Sequence, residues 1–231
     1  EGAIAAADVE VLGRLEQALP AAVASGLNAL QRNRLRTGGF SDEHGPADPV
    51  VSAWSAEALA RAAKAAERWP TARIRISNEG AARDAAWLKS LPDVARGRVG
   101  RIEDARWPLF TAATLHAWRA LGAQAAGAAP FARTPALLVE QRPAWPERPE
   151  VASDLYLQWY FAANALRAEP QAERERWARA ALLVLVDTRC PASDPGLAGS
   201  WPNRSVPYGQ ASFRIYATAM SVLILQSLET Y

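Results

Sequence analysis

Lysine is almost missing from this chain: Lys64 and Lys89 are the only two, and nearly all positive charge is arginine. Together with abundant alanine, that bias points to a GC-rich genome rather than to a chemistry. Lysine and arginine total 26 against 24 acidic residues, a net charge of +2. No global field therefore draws the protein to nucleic acid or to anionic lipid. Local clusters at Arg32, Arg34 and Arg36 and at Arg73 and Arg75 are expected to be solvated helix ends. Cysteine occurs once, as Cys190, which excludes an intrachain disulfide. No histidine lies near it in sequence to act as a base, so it reads as a half-buried structural thiol. Long apolar runs are absent as well. The longest, Ala180 to Val186, falls far short of the ~20 residues a membrane span needs and reads as a core helix. The chain opens on Glu1 rather than Met, so an upstream signal peptide, lipid anchor or membrane helix is an expectation. The compartment stays open on these grounds, with a soluble domain outside the cytoplasm as one outcome.

Strand signals are scarce too. Arg73 to Ile76 alternates, but four residues rarely make a sheet. Pro70, Pro92, Pro130, Pro143, Pro146 and Pro149 fall between helical segments, where a missing N–H is tolerated.

What is present is a repeat. Four segments share an Ala/Leu-rich helix, a loop with Gly or Trp, and a second helix opening with small and aromatic residues. They run from Ala21 through Gly38-Gly39-Phe40 to Leu59, and from Ala85 through Gly97 and Gly100 to Trp118. The third runs from Pro135 through Trp145 to Leu166, and the fourth from Trp177 through Gly199-Ser200-Trp201 to Leu225. The pitch from loop to loop is roughly 46 to 58 residues, a helical-repeat period. In the last segment Ile215, Ala219, Val222, Leu223 and Leu225 to Gln226 follow the i, i+4, i+7 spacing of an amphipathic helix. The expected fold is all-α, an array of about four helical hairpins over approximately 10–62, 79–122, 133–168 and 172–231 in a single repeat domain.

Gly199-Ser200-Trp201, then Gly209, then Tyr216 to Ala219 leading into Val222 to Leu225, resembles the final repeat of squalene-cyclase-like and prenyltransferase-like α/α toroids. Gln31 with Gly38-Gly39-Phe40 is similar to the Gln-to-Trp repeat motif of that terpenoid-cyclase and protein-prenyltransferase superfamily, and Asp154 to Leu166 resembles the inner helix before the last repeat. The likeness spans most of Ala21 to Tyr231 and implies a toroid-like ring of which four hairpins are visible, left open, completed by the unassigned stretches or closed by a partner. In such a motif glycine permits the tight turn, glutamine bonds carbonyls open at a helix C-terminus, and tryptophan plugs the gap between hairpins. The nine tryptophans are accordingly explained first as packing.

The catalytic residues that the resemblance implies are missing. The aspartates stand at 8, 42, 48, 84, 93, 104, 154, 187 and 194, with no Asp-x-Asp-Asp acid and no Asp-Asp pair. Where the zinc-binding members carry Asp-x-Cys and a later His, the matching positions are Asp154, Tyr156 and Ala217. One oxygen ligand cannot hold a zinc whose thiolate and imidazole are gone, and no cofactor is expected. His44, in a loop with Asp42, Glu43 and Asp48, reads as a solvated turn rather than a cation site. His116 reads as a hydrogen-bonded, semi-buried histidine before it reads as a general acid or base. No phosphate-cradling glycine loop occurs, since Gly38-Gly39 is not followed by Lys and Ser or Thr.

Aromatic residues gather on the second helix of each hairpin, the inner layer of the resemblance. The concave-face candidates are Trp54, Glu57, Phe110, His116, Trp118, Asp154, Tyr156, Trp159, Asn164 and Tyr216. They are expected to fill a core, with an apolar hollow for an isoprenoid or lipid as the alternative. The functional expectation is a non-enzymatic scaffold or accessory subunit that binds a protein partner, in solution or in a membrane-associated complex, and not nucleic acid. An isoprenoid- or lipid-binding protein and a cyclase- or transferase-type enzyme with displaced catalytic groups are the alternatives.

Overall fold

The computed structural model describes residues 18–42, 45–70, 74–122, 129–145, 154–194, 196–202 and 211–229, with side chains of the last helix described from residue 214. His44, Arg73, Pro146, Pro149 and Gly209 lie outside the described residues. Among those described the fold is helical: α1 (18–32), α2 (Pro49–Arg68), α3 (Asn78–Ser90), α4 (Trp107–Ala120), α5 (Thr134–Glu140), α6 (Leu155–Leu166), α7 (Gln171–Thr188) and α8 (Ala211–Glu229). A short antiparallel pair, β1 (Pro92–Asp93) with β2 (Arg98–Val99), joins α3 to α4. The chain divides into two compact units, Glu1–Trp87 and Leu88–Tyr231, with the boundary inside α3.

In the first unit α2 starts sharply because Asp48 caps it, accepting from the N–H groups of Val50 and Val51, with Pro49 pre-set for the first turn. Leu27, Phe40, Leu59 and Ala62 form the core, and Leu30, Val51, Ile74 and Ile76 pack on it. Burying each of the larger side chains contributes about 1.5–3 kcal/mol. Phe40 is delivered there by the turn after α1, where Gly38 and Gly39 have φ of 94° and 75°. Its N–H donates to Ser52 Oγ of α2 at 2.9 Å.

Two expectations change in this unit. Arg34 is not a solvated helix end. Its Nε donates to Asp84 Oδ2 at 2.9 Å, both side chains are almost entirely buried, and its guanidinium lies over the Phe40 ring. Asp84 Oδ1 also accepts from Gly39 N–H at 3.0 Å, so one carboxylate ties the glycine turn and α1 to α3. Burial pushes the Asp84 carboxyl above the usual value, against the Gly39 N–H and Arg34, which lower it. Gln31 likewise does not bond open carbonyls at a helix end. Its amide donates to Arg75 O at 2.9 Å and accepts from Ser77 N–H at 2.8 Å, pairing with the segment before α3 as a strand edge would. That explains the alternation at 73–76: Ile74 and Ile76 turn toward the core and Arg75 faces water, with a side chain in place of a partner strand. The only strand pair among the described residues lies later, at 92–99, where Asp93 accepts from Ala95 and Arg96 N–H and Gly97 takes φ 72°.

In the second unit α6 is apolar on nearly every side and buried accordingly, packed between α4 and α8 and touched by α5 and α7. Arg119, near the end of α4, donates to Ala165 O and Glu169 just past α6. Asn164 donates to Ser227 Oγ at the end of α8, and Tyr216 near the start of α8 donates to Asp154 at the start of α6. Start meets start and end meets end, so α4, α6 and α8 run parallel. Each is the second helix of an expected hairpin.

The link between loop and second helix recurs. Val99 N–H donates to Thr111 Oγ1 of α4 at 2.9 Å, and Trp201 N–H to Thr218 Oγ1 of α8 at 3.1 Å, as Phe40 does to Ser52. Trp201 also plugs the loop onto α7, its indole N–H donating to Leu185 O at 2.7 Å.

The last two helices depart from the sequence reading. The run Ala180 to Val186 is not wholly core: α7 buries Trp177, Ala181 and Leu185 at i, i+4, i+8, leaving Leu182, Leu183 and Val186 exposed. On α8 the stripe of Ile215, Ala219, Val222 and Gln226 is the exposed side, and Ala217, Met220, Ser221 and Ile224 face the core. Each helix carries apolar residues beyond the face it can bury, so periodicity locates the helix without fixing which face is inside.

At Gly38 an added Cβ would stand 2.6 Å from Arg83 O at a backbone φ of +94°. Gly38→Ala should therefore destabilise by about 2 kcal/mol or more. Gly26, inside α1 with no heavy atom within 4 Å of an added Cβ, should instead gain about 0.5–1 kcal/mol as Ala. Urea unfolding of the two variants checks both signs.

Candidate functional site

The predicted concave-face residues separate by unit. Trp54 and Glu57 lie on α2 in the first: Trp54 is partly exposed, and Glu57 is buried with its carboxylate bound by Arg61 at 2.6 and 2.9 Å. The others belong to the second unit, where they form packed layers. Trp118 is buried against the Phe131 ring, centroids 4.7 Å apart. Buried His116 lies against Tyr160 and Phe161. Phe110 sits under the Arg106 guanidinium at 4.6 Å. Asn164 donates to Tyr160 O and Ser227 Oγ, locking α6 to α8.

Asp154, Tyr156, Trp159 and Tyr216 come together with Trp145, which the sequence placed in the loop of the third repeat and not on the concave face. Trp145 touches Tyr156 and Trp159 edge-on at 5.4 and 4.8 Å. Tyr156 and Trp159 are fully buried, and the Tyr156 hydroxyl donates to Pro202 O at 2.9 Å. Asp154 closes the cluster. As the N-cap of α6 it accepts from Leu157 N–H at 3.2 Å, and its other oxygen accepts from Tyr216 OH at 2.6 Å. Burial pushes its carboxyl above the usual range against those hydrogen bonds. Burial, then the facing Asp154 charge, pushes the Tyr216 phenol up strongly, so the tyrosine stays protonated and remains a donor. The carboxylate's bonds are local and structural: it starts α6 and ties it to α8. Among the described residues no three His, Cys, Asp or Glu gather as a metal set. Cys190 is half-buried, with Arg214 Nη1 3.1 Å from its sulfur.

The outer side of α7 and α8 has different properties. Leu182 of α7 and Leu225 and Leu228 of α8 line an open groove of about 470 Å³, together with Ala178, Glu175, Arg179 and Glu229. Val186 continues the α7 side at i+4 from Leu182, while Val222 and Ile215 continue the α8 side at three and ten residues before Leu225. Leu182, Val186, Ile215 and Val222 are 46, 55, 75 and 42% exposed. Across α7 a second hollow of about 420 Å³ is lined by Arg142, Arg176, Arg179, Glu175 and Leu183. None of these residues was a site candidate in the sequence, where Ile215, Val222 and Leu225 read as an amphipathic stripe and Ala180 to Val186 as core. The available signal was the run Leu182 to Val186, apolar around the whole helix circumference when a single face is all that α7 buries. No described helix is long and apolar enough to cross a membrane.

No protein family, curated protein or solved structure matches the chain.

Asp154 gives a pH signature. Its folded-state pKa lies above the free value of 3.8, so the native state binds the proton more readily than the unfolded chain. Its contribution favours the native state below 3.8 and is lost as pH rises through the raised value. Asp154→Asn removes that dependence. Wild type should therefore gain stability relative to the variant as pH falls through the window above 3.8, read from urea midpoints across pH; a gap that is flat or narrows the other way contradicts the assignment.

Proposed function

We propose that the chain is a helical-repeat scaffold or accessory subunit that docks a protein partner on the outer face of α7 and α8. One observation carries this reading: the best apolar periodicity in the last helix, Ile215, Ala219 and Val222, lies on its exposed side, as Leu182 and Val186 do on α7. An exposed apolar stripe on two neighbouring helices, with a groove between them, is a costly surface for a free domain and a ready one for association. The face belongs to the last hairpin, where an open array would present an end to a neighbour. Parallel second helices and the repeated loop-to-helix hydroxyl bond support the proposed relation to α/α toroids. The inner aromatics support binding at an outer face over a hollow, because Trp145, Tyr156 and Trp159 pack against one another.

A photo-crosslinking side chain placed at Val186 should join the full chain to one protein in the cells that make it. The same group at exposed Ile102 should not, and Leu182→Asp with Val222→Asp should abolish the product. All these positions are exposed, so the substitutions should move stability by less than about 1 kcal/mol. A chain that crosslinks to nothing from Val186, or equally from Ile102, contradicts the reading.

A further inference from the structure

The α7–α8 groove opens on one side of α7 and the arginine-lined hollow on the other, and both hollows share Glu175 and Arg179. An occupant lying across α7 therefore meets an apolar slot and a basic one together. The slot supplies Leu182, Leu225 and Leu228. The second hollow supplies Arg142, Arg176 and Arg179 against the single carboxylate of Glu175, which already accepts from Gln171 at 2.6 Å. None of the three guanidiniums is within ion-pair distance of a described carboxylate. Three clustered, exposed arginines on a chain whose net charge is only +2 are a local field, and that field selects sign.

Resting on the docking reading above, we infer that the partner presents an acidic amphipathic helix. Its apolar stripe enters the slot between α7 and α8, and its Asp or Glu side chains reach across α7 to Arg142, Arg176 and Arg179. The groove is bounded by two helices and open along its length, the shape into which a helix lays residues at i, i+3, i+4 and i+7. Guanidinium forks then bind carboxylates in a fixed geometry, which sets the register and direction of the helix.

The test uses the full chain and two synthetic helical peptides with an identical leucine stripe, one flanked by glutamates and the other by lysines. Fluorescence anisotropy at low salt should show the glutamate peptide binding about tenfold or more tightly, with the difference shrinking as salt is added. Arg176→Glu with Arg179→Glu should invert the preference, and Arg176→Gln with Arg179→Gln should erase it, with helicity unchanged by circular dichroism. Leu182→Asp should weaken both peptides. Equal affinities that Leu182→Asp still abolishes would overturn the acidic partner while leaving apolar docking in place. Failure of both peptides to bind would overturn both readings. Tighter binding to phosphatidylglycerol-containing vesicles than to the glutamate peptide, or self-association abolished by Leu182→Asp, would assign the face to a membrane or to a second copy and overturn the inference.

Discussion

One hydrogen bond organises the architecture: a loop N–H given to a hydroxyl on the helix that follows. It occurs at Phe40 and Ser52, at Val99 and Thr111, and at Trp201 and Thr218. Each loop must reverse the chain and bring a buried apolar residue against the helix it precedes, which would strand that residue's N–H away from water. A net hydrogen bond is worth only about 1 kcal/mol, but an unmade buried one costs about 1–3 kcal/mol. Ser and Thr meet the need because a rotatable hydroxyl accepts this N–H and can also donate to a carbonyl, as Thr111 does to Trp107 O. The hydroxyl ties each of these loops to the second helix that follows it.

With the loops set, the second helices of the later hairpins align in parallel and the core follows. α6 sits in the middle, buried nearly all round, and polar ties at its two ends hold register. Asp154 with Tyr216 fixes one end, and Arg119 and Asn164 fix the other. Aromatic rings fill the space between those ties. Burial of the Asp154 carboxyl opposes its charge, and its bond to Tyr216 and its role as helix cap offset that cost in part.

Much of the fold was legible in the sequence because helix periodicity, glycine turns and tryptophan plugs are local signals. Gly38-Gly39 and Trp201 behave as their sequence context implied, and Cys190 is the half-buried thiol it was expected to be. What the sequence concealed depends on long separations. Arg34 meets Asp84 fifty positions away, so nothing beside Arg34 distinguishes it from the solvated arginines at 32 and 36. Gln31 finds Arg75 and Ser77, a segment whose own alternation hinted at a strand. On α7 and α8 two apolar faces compete for one core, and the winner is decided by neighbours. On α8 the small Ala217 and Ser221 pack closely, leaving Ile215 and Val222 outside.

That choice of face is the centre of the account, and hydroxyl-radical footprinting of the purified full chain measures it residue by residue. Leu182, Leu183, Val186, Ile215 and Val222 should be oxidised readily in the isolated protein, while Tyr156, Trp159 and Trp177 remain protected despite their greater intrinsic reactivity. Adding the bound partner should protect Leu182 and Val186 and leave Ile102 reactive. Protection of Leu182, Val186 and Val222 in the isolated monomer would show that the face is already covered and would contradict the account.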